Sequence, residues 1–103
     1  MLRLDGAADF CNSLKTNNTL TYLDLSFNSL GNVGGIALGD ALQDNKVLKT
    51  LFISNNSIDS MACLTICAGI LQNENLTFCA FDGNPIGEVG ARALMVSIMS
   101  ISS

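Results

Sequence analysis

Histidine and tryptophan are absent from this 103-residue chain, and proline occurs once, at Pro85. Without histidine, the chain lacks the side chain whose ordinary pKa suits proton transfer near neutral pH. The loop serines Ser26, Ser29 and Ser57 have no base to activate them, and no Gly-Lys-Ser/Thr sequence marks a phosphate loop. The expectation is a protein that is not an enzyme and carries no cofactor or metal. Charge is also scarce. Charged residues make up 14% of the chain, and five basic against nine acidic residues leave a net charge of −4. Nucleic acid rewards clustered Lys and Arg through counterion release, and anionic membranes reward the same clusters, so neither is expected as a partner. No apolar run reaches the ~18 residues of a transmembrane helix. The opening residues, MLRLDGAADF, lack the long apolar segment of a signal peptide. The sequons at Asn17, Asn55 and Asn75 therefore read as chance matches in an Asn-rich chain, and the expected location is cytoplasmic.

What the chain has is apolar residues, at 49%, and a period. Leu20 to Asn28 reads LTYLDLSFN, Leu48 to Asn56 reads LKTLFISNN, and Leu76 to Asn84 reads LTFCAFDGN. Superposed with a 28-residue shift and no gaps, the copies form four columns. These are Leu20, Leu48 and Leu76; Leu23, Leu51 and Cys79; Leu25, Ile53 and Phe81; and Asn28, Asn56 and Asn84. A fixed period of this size signals a solenoid whose units pack on their neighbours. Residues 1–19 align with the second half of a unit, with Leu2 under Leu30, Phe10 under Leu38 and Leu14 under Leu42. The expected division is one domain over 1–103, with a partial repeat at 1–19 and full repeats at 20–47, 48–75 and 76–103.

The pattern L-x-x-L-x-L-x-x-N-x-[LI] followed by a helical half resembles the leucine-rich repeat, and the long period resembles its ribonuclease-inhibitor subtype. The resemblance covers nearly the whole chain. It implies a right-handed α/β solenoid, with a parallel sheet on the concave face and parallel helices on the convex face. It also implies that Asn28, Asn56 and Asn84 form the family's structural asparagine ladder. Chemistry points the same way, since a side-chain amide both donates to and accepts from buried backbone groups at a turn.

Strands are expected at about 22–25, 50–53 and 78–81, where inward Leu-type residues alternate with outward ones. Helices are expected at about 5–16, 33–44, 61–72 and 89–99. Gly34, Leu38 and Leu42 share one helical face, as do Ala62, Ile66 and Ile70, and Gly90, Leu94 and Ile98. The small residue opening each set should let the helix lie close to the sheet. Asn17, Asn45 and Asn73 form a second column at the helix ends, where Asn can adopt the left-handed conformation that stops a helix. Ile101 breaks that column. Cys63 and Cys67, four residues apart, would suit a metal together with Cys79. Cys79, however, stands in the column of Leu23 and Leu51, so all four cysteines, Cys11 included, read as reduced core thiols.

The outward strand positions are not explained by burial. They form the rows Tyr22, Thr50, Phe78; Asp24, Phe52, Ala80; and Ser26, Ser54, Asp82. Three aromatics on a face that should be wet mark a candidate site for another protein, with Tyr22, Asp24, Thr50, Phe52, Phe78 and Asp82 as its residues. Asp24 and Asp82 sit two units apart, too far to share a proton. The alternatives are a regulator of a small GTPase, because the Ran GTPase-activating protein is built on similar repeats, and an inactive piece of a longer array. Against the first, Arg3 is the only basic residue near the loops. The mid-unit start and the apolar stretch ALMVSIMSI point to the second, and to self-association through uncapped ends.

Overall fold

Four helices alternate with three short strands. In order they are α1 Leu4–Ser13, β1 Tyr22–Asp24, α2 Gly31–Asp44, β2 Thr50–Phe52, α3 Ser60–Gln72, β3 Phe78–Ala80 and α4 Gly87–Ser102. The structure is a computed structural model and describes residues 4–102. Leu2 and Arg3 of the sequence reading lie outside the described residues. The strands pair in parallel in the order β1-β2-β3. Their register runs Tyr22 opposite Thr50 opposite Phe78, and Leu23 opposite Leu51 opposite Cys79. The columns of the sequence are thus the rows of the sheet.

Each strand is one residue shorter than its alternating pattern predicts. Leu25, Ile53 and Phe81 leave the strands, yet their side chains stay in the core, with exposures of 4%, 0% and 6%. Bonding between neighbouring turns continues past the strand ends. The Leu25 N–H donates to the Phe52 carbonyl (2.8 Å), and the Phe27 N–H to that of Ser54 (3.1 Å). Helices α2, α3 and α4 begin two or three residues before the apolar period, because loop chemistry sets their starts. Gly31 and Gly87 enter α2 and α4 at φ 64° and 72°, a conformation that needs no Cβ. The middle unit has Asp59 at this place instead. It caps α3 by accepting from the Ala62 N–H (2.9 Å) and takes a second donor, the Asn32 amide of α2, at 3.1 and 3.2 Å. The Ala62 hydrogen bond, followed by that of Asn32, holds the Asp59 carboxyl below its usual pKa.

Between helices and sheet lie the repeated apolar columns. Leu30, Leu38, Leu42, Leu48, Leu51, Ile53, Ile58 and Ile66 are fully buried. Hydrophobic burial of this kind is the main favourable term for the fold. Of the small residues that open each apolar set, Ala62 and Gly90 face a neighbouring helix: a methyl added at Gly35 of α2 would meet the Ala62 Cβ at 2.7 Å, and one at Gly90 would meet the Cys63 Sγ of α3 at 3.3 Å. A methyl added at Gly39 would come within 2.6 Å of the Thr65 backbone, and one at Gly69 would run into the Gly39 carbonyl. These glycines let α2 and α3 lie against each other; no close approach to the sheet is involved.

Two rows of asparagine amides tie the turns together. In the row after the strands, the Asn56 side-chain carbonyl accepts from the Asn28 N–H (2.9 Å) and the Leu30 N–H (3.3 Å). Its amide donates to the carbonyls of Leu25 (2.8 Å) and Ser54 (3.2 Å). One unit on, Asn84 repeats this, accepting from Asn56 and Ile58 and donating to Ile53 and Phe81. The Asn28 amide donates to Leu25 and Ser26.

The second row corrects the sequence reading of the helix ends. Asn45 and Asn73 are not left-handed: their φ/ψ values are −72°/132° and −86°/124°. They end their helices through the side chain instead. The Asn45 carbonyl accepts from the Val47 and Leu48 N–H groups (2.9 and 2.7 Å), and its amide donates to Leu14 of the preceding helix end (2.7 Å). Asn73 does the same with Asn75, Leu76 and Leu42. Asn17 receives the Thr19 and Leu20 N–H groups. Where the column reads Ile101, no such turn forms and α4 runs on to Ser102.

Asn56, fully buried with partners on both sides, carries the largest share of the first row. Asn56→Ala is expected to cost about 1–3 kcal/mol for each backbone group it strands, more than Asn28→Ala or Asn84→Ala. Thermal melts of the three variants check this. A parental Tm for Asn56→Ala would remove the row from the account of stability.

Candidate protein-binding site

The sheet presents its outward rows as a strip of three aromatic rings. Register places Tyr22 and Phe78 on either side of Thr50, with Phe52 one row further along the middle strand. The Phe52 ring wedges between the other two, with centroids 5.5 Å from Tyr22 and 5.2 Å from Phe78, tilted by 47° and 46°. Tilted pairs at this spacing are the preferred geometry of aromatic quadrupoles. The rings therefore support one another, yet the strip stays open to solvent. Phe52 is half-buried, while Tyr22 and Phe78 are 58% and 48% exposed.

The polar candidates flank this strip. Asp24 stands beside Phe52 in register and is exposed; one carboxylate oxygen accepts from the Ser26 N–H (2.9 Å). Asp82 is exposed on the third unit, where it receives the Ser54 hydroxyl at 2.6 Å. Thr50 is half-buried among the rings. Tyr22, Asp24, Thr50, Phe52 and Phe78 thus form one continuous patch. Asp82 joins it at the loop end of the sheet, through Ser54.

One exposed residue escaped the sequence reading. Phe27, in the loop after β1, is 66% exposed and has φ 62°. A bulky side chain in the left-handed region is a true outlier. The neighbours in its column are Asn55 at φ 56° and Gly83 at φ 77°, residues that tolerate this conformation. The signal was present in the sequence as a Phe/Asn/Gly column. It was silent until the loop conformation was known.

The thiols sit in the core. Cys63 and Cys67 are buried with sulfurs 3.9 Å apart, and burial pushes the thiols of Cys63 and Cys79 up to about 12 and that of Cys11 up to about 11. Among the described residues no group of three acidic, His or Cys side chains is placed to hold a metal ion. Also among them, no helix is long and apolar enough to cross a membrane.

A second apolar surface lies on α4. Ile86, Ala91, Leu94, Met95, Ile98 and Met99 line a groove of about 310 Å³. The equivalents of Ile98 in the two preceding units, Leu42 and Ile70, are 0% and 1% exposed, whereas Ile98 is 39% exposed. Those earlier residues are covered by the helix of the following unit.

Short parallel strands, helices packed side by side and amide rows at both ends of the strands define an α/β repeat protein with a leucine-rich-repeat fold. A family model described as "Leucine Rich repeat" matches residues 16–39. The chain is 32% identical over 92 residues to the ribonuclease inhibitor of Sus scrofa, an alignment covering 88% of this chain and 20% of that protein. It is 30% identical over 92 residues to the NACHT, LRR and PYD domains-containing protein 3 of Bos taurus, covering 88% of this chain and 9% of that one. Among solved structures, one titled "Leiomodin-1 Actin-Binding Site 2 (ABS2)" superposes with a TM-score of 0.80 at 22% identity, covering 96% of this chain and 57% of the other. The protein is a leucine-rich repeat protein of the ribonuclease-inhibitor-like type. It spans a fifth or less of the length of these two sequence relatives.

Because the thiolate is the reactive form, native protein at about pH 8 should take up iodoacetamide at Cys11, Cys63 and Cys79 far more slowly than denatured protein. Mass spectrometry of timed samples measures it. Labelling of the native form at the denatured rate would show that the core opens readily.

Proposed function

We propose that this chain is a non-catalytic protein-binding module that engages its partner through the sheet face, with Tyr22, Phe52 and Phe78 as anchors and Asp24, Thr50 and Asp82 around them. The observation that carries this reading is the half-open aromatic strip, since burial in the chain's own core does not account for it. Truncating such an anchor typically costs about 2 kcal/mol or more of affinity. The name of the similar ribonuclease inhibitor, which gives a protein target, supports the reading. We further propose a right-handed solenoid, the hand favoured wherever parallel strands are joined by crossovers. A reducing compartment such as the cytoplasm of a eukaryotic cell suits four free thiols.

The test places a photo-crosslinking phenylalanine analogue at Phe78 and, on the helix side, at Leu64. A partner captured from Phe78 alone, and lost in Tyr22→Ala or Phe52→Ala proteins whose Tm stays within a few degrees of the parent, is the expected result. Capture from Leu64 alone would move the site to the helices.

The groove on α4 favours a second association, between copies of this chain. Each Å² of apolar surface left in water forgoes about 25 cal/mol, so an open apolar groove favours pairing. Light scattering across concentration should show growth in apparent mass that Met95→Lys reverses. A monomer at all concentrations would remove this association.

A further inference from the structure

We infer that the occupant of the sheet face is a protein segment that presents a basic side chain beside apolar ones, and that its footprint runs from Tyr22 past Asp24 to Phe27. This rests on the sheet-face reading above and names the chemistry of its partner.

The first argument is charge. Among the described residues the ion pair formed is Arg92 with Glu88 on α4, and neither Asp24 nor Asp82 has a cationic partner. Each offers one carboxylate oxygen to an internal donor, the Ser26 N–H and the Ser54 hydroxyl, which fixes its orientation. Lys46 and Lys49 stand at the opposite end of the strands, before β2, and Glu74 stands there too, before β3 in the column of Lys46. Among the described residues the face therefore has a direction, with carboxylates alone at the loop end and mixed charge at the strand starts. An incoming basic group is steered to the loop end, and like charges there are rejected.

The second argument is the ring geometry. Phe52 has a ring on both sides, whereas Tyr22 and Phe78 each pair with Phe52 and remain 58% and 48% exposed. An Arg or Lys group within about 6 Å of a ring centroid is attracted by its quadrupole. Tyr22 and Asp24 lie two residues apart on one strand face, about 7 Å along the strand, so one guanidinium fits between ring and carboxylate.

The third is Phe27. Its backbone conformation is imposed by the loop, whose N–H bonds to Ser54 in the ladder between turns, and its column elsewhere holds Asn55 and Gly83. A phenylalanine there is strained and its ring stays in solvent, so it adds nothing to the fold that Asn would not. Strain of this kind gathers at sites of function. Phe27 lies three residues beyond Asp24, in the turn that leaves β1, so at most about 10 Å away and within reach of the same extended segment.

The test titrates the full chain with an alternating Arg-Leu peptide and, separately, with its Glu-Leu counterpart, following the ring resonances of Tyr22, Phe52 and Phe78 by NMR. The Arg-Leu peptide should shift the rings, with affinity falling as salt rises, and Asp24→Asn with Asp82→Asn should weaken it by about tenfold. Phe27→Asn should melt at or above the parental Tm while binding this peptide severalfold more weakly. Equal binding of the Glu-Leu peptide, or unchanged Arg-Leu affinity in the double Asn variant, would overturn the basic-segment inference. So would rings that neither peptide moves. If a partner still crosslinks at Phe78 in any of these cases, the sheet face stands as the binding surface and its chemistry is different. A lower Tm with unaltered affinity in Phe27→Asn would return that residue to the fold.

Discussion

Every level of this molecule depends on one interaction, a side-chain amide that satisfies the backbone of the turn before it. The Asn56 carbonyl meets two N–H groups of the first loop, and Asn84 meets the corresponding two of the second. A turn between stacked units cannot bond within itself as a helix does, and buried backbone groups without partners are costly. The amide solves this with a donor and an acceptor on one short side chain. The row formed by Asn17, Asn45 and Asn73 repeats the device at the other end of the strands. With both ends of each strand tied to a neighbour, three residues are enough for the strand itself.

Fixing both ends also sets the register, and the register decides everything on the faces. Inward residues fall on inward residues, so the apolar columns close into a core built mainly of Leu and Ile, with Phe81 among them. Outward residues are left to other uses. Phe52 is free to wedge between Tyr22 and Phe78 because the repeat does not require anything of it. The same stacking accounts for burial within a column, since a residue is covered where the helix of the next unit lies against it. Ile98 and Ile70 occupy equivalent positions and differ in exposure for that reason.

The loop after each strand shows the repeat acting against an individual residue. The amide row holds the turn in one conformation whichever side chains flank it. Asn55 and Gly83 suit that conformation, while Phe27 is carried into it. The proposed chemical preference of this surface rests on that strained, exposed ring together with two carboxylates that form no ion pair among the described residues.

The sequence by itself determined the period, the order of strand and helix, the inward columns and the outward rows, because all of these follow from spacing. Tyr22, Phe52 and Phe78 could be placed on one face from alternation alone. Tertiary structure decided what spacing does not encode. Whether Asn45 ends its helix by backbone conformation or by side-chain bonds depends on the Leu14 carbonyl, which belongs to the preceding unit. Likewise, the use of Gly39 and Gly69 is visible only when α2 and α3 are side by side. Phe27 reads as an ordinary loop residue until its φ is known, since strain is a property of the backbone that the neighbouring turns impose.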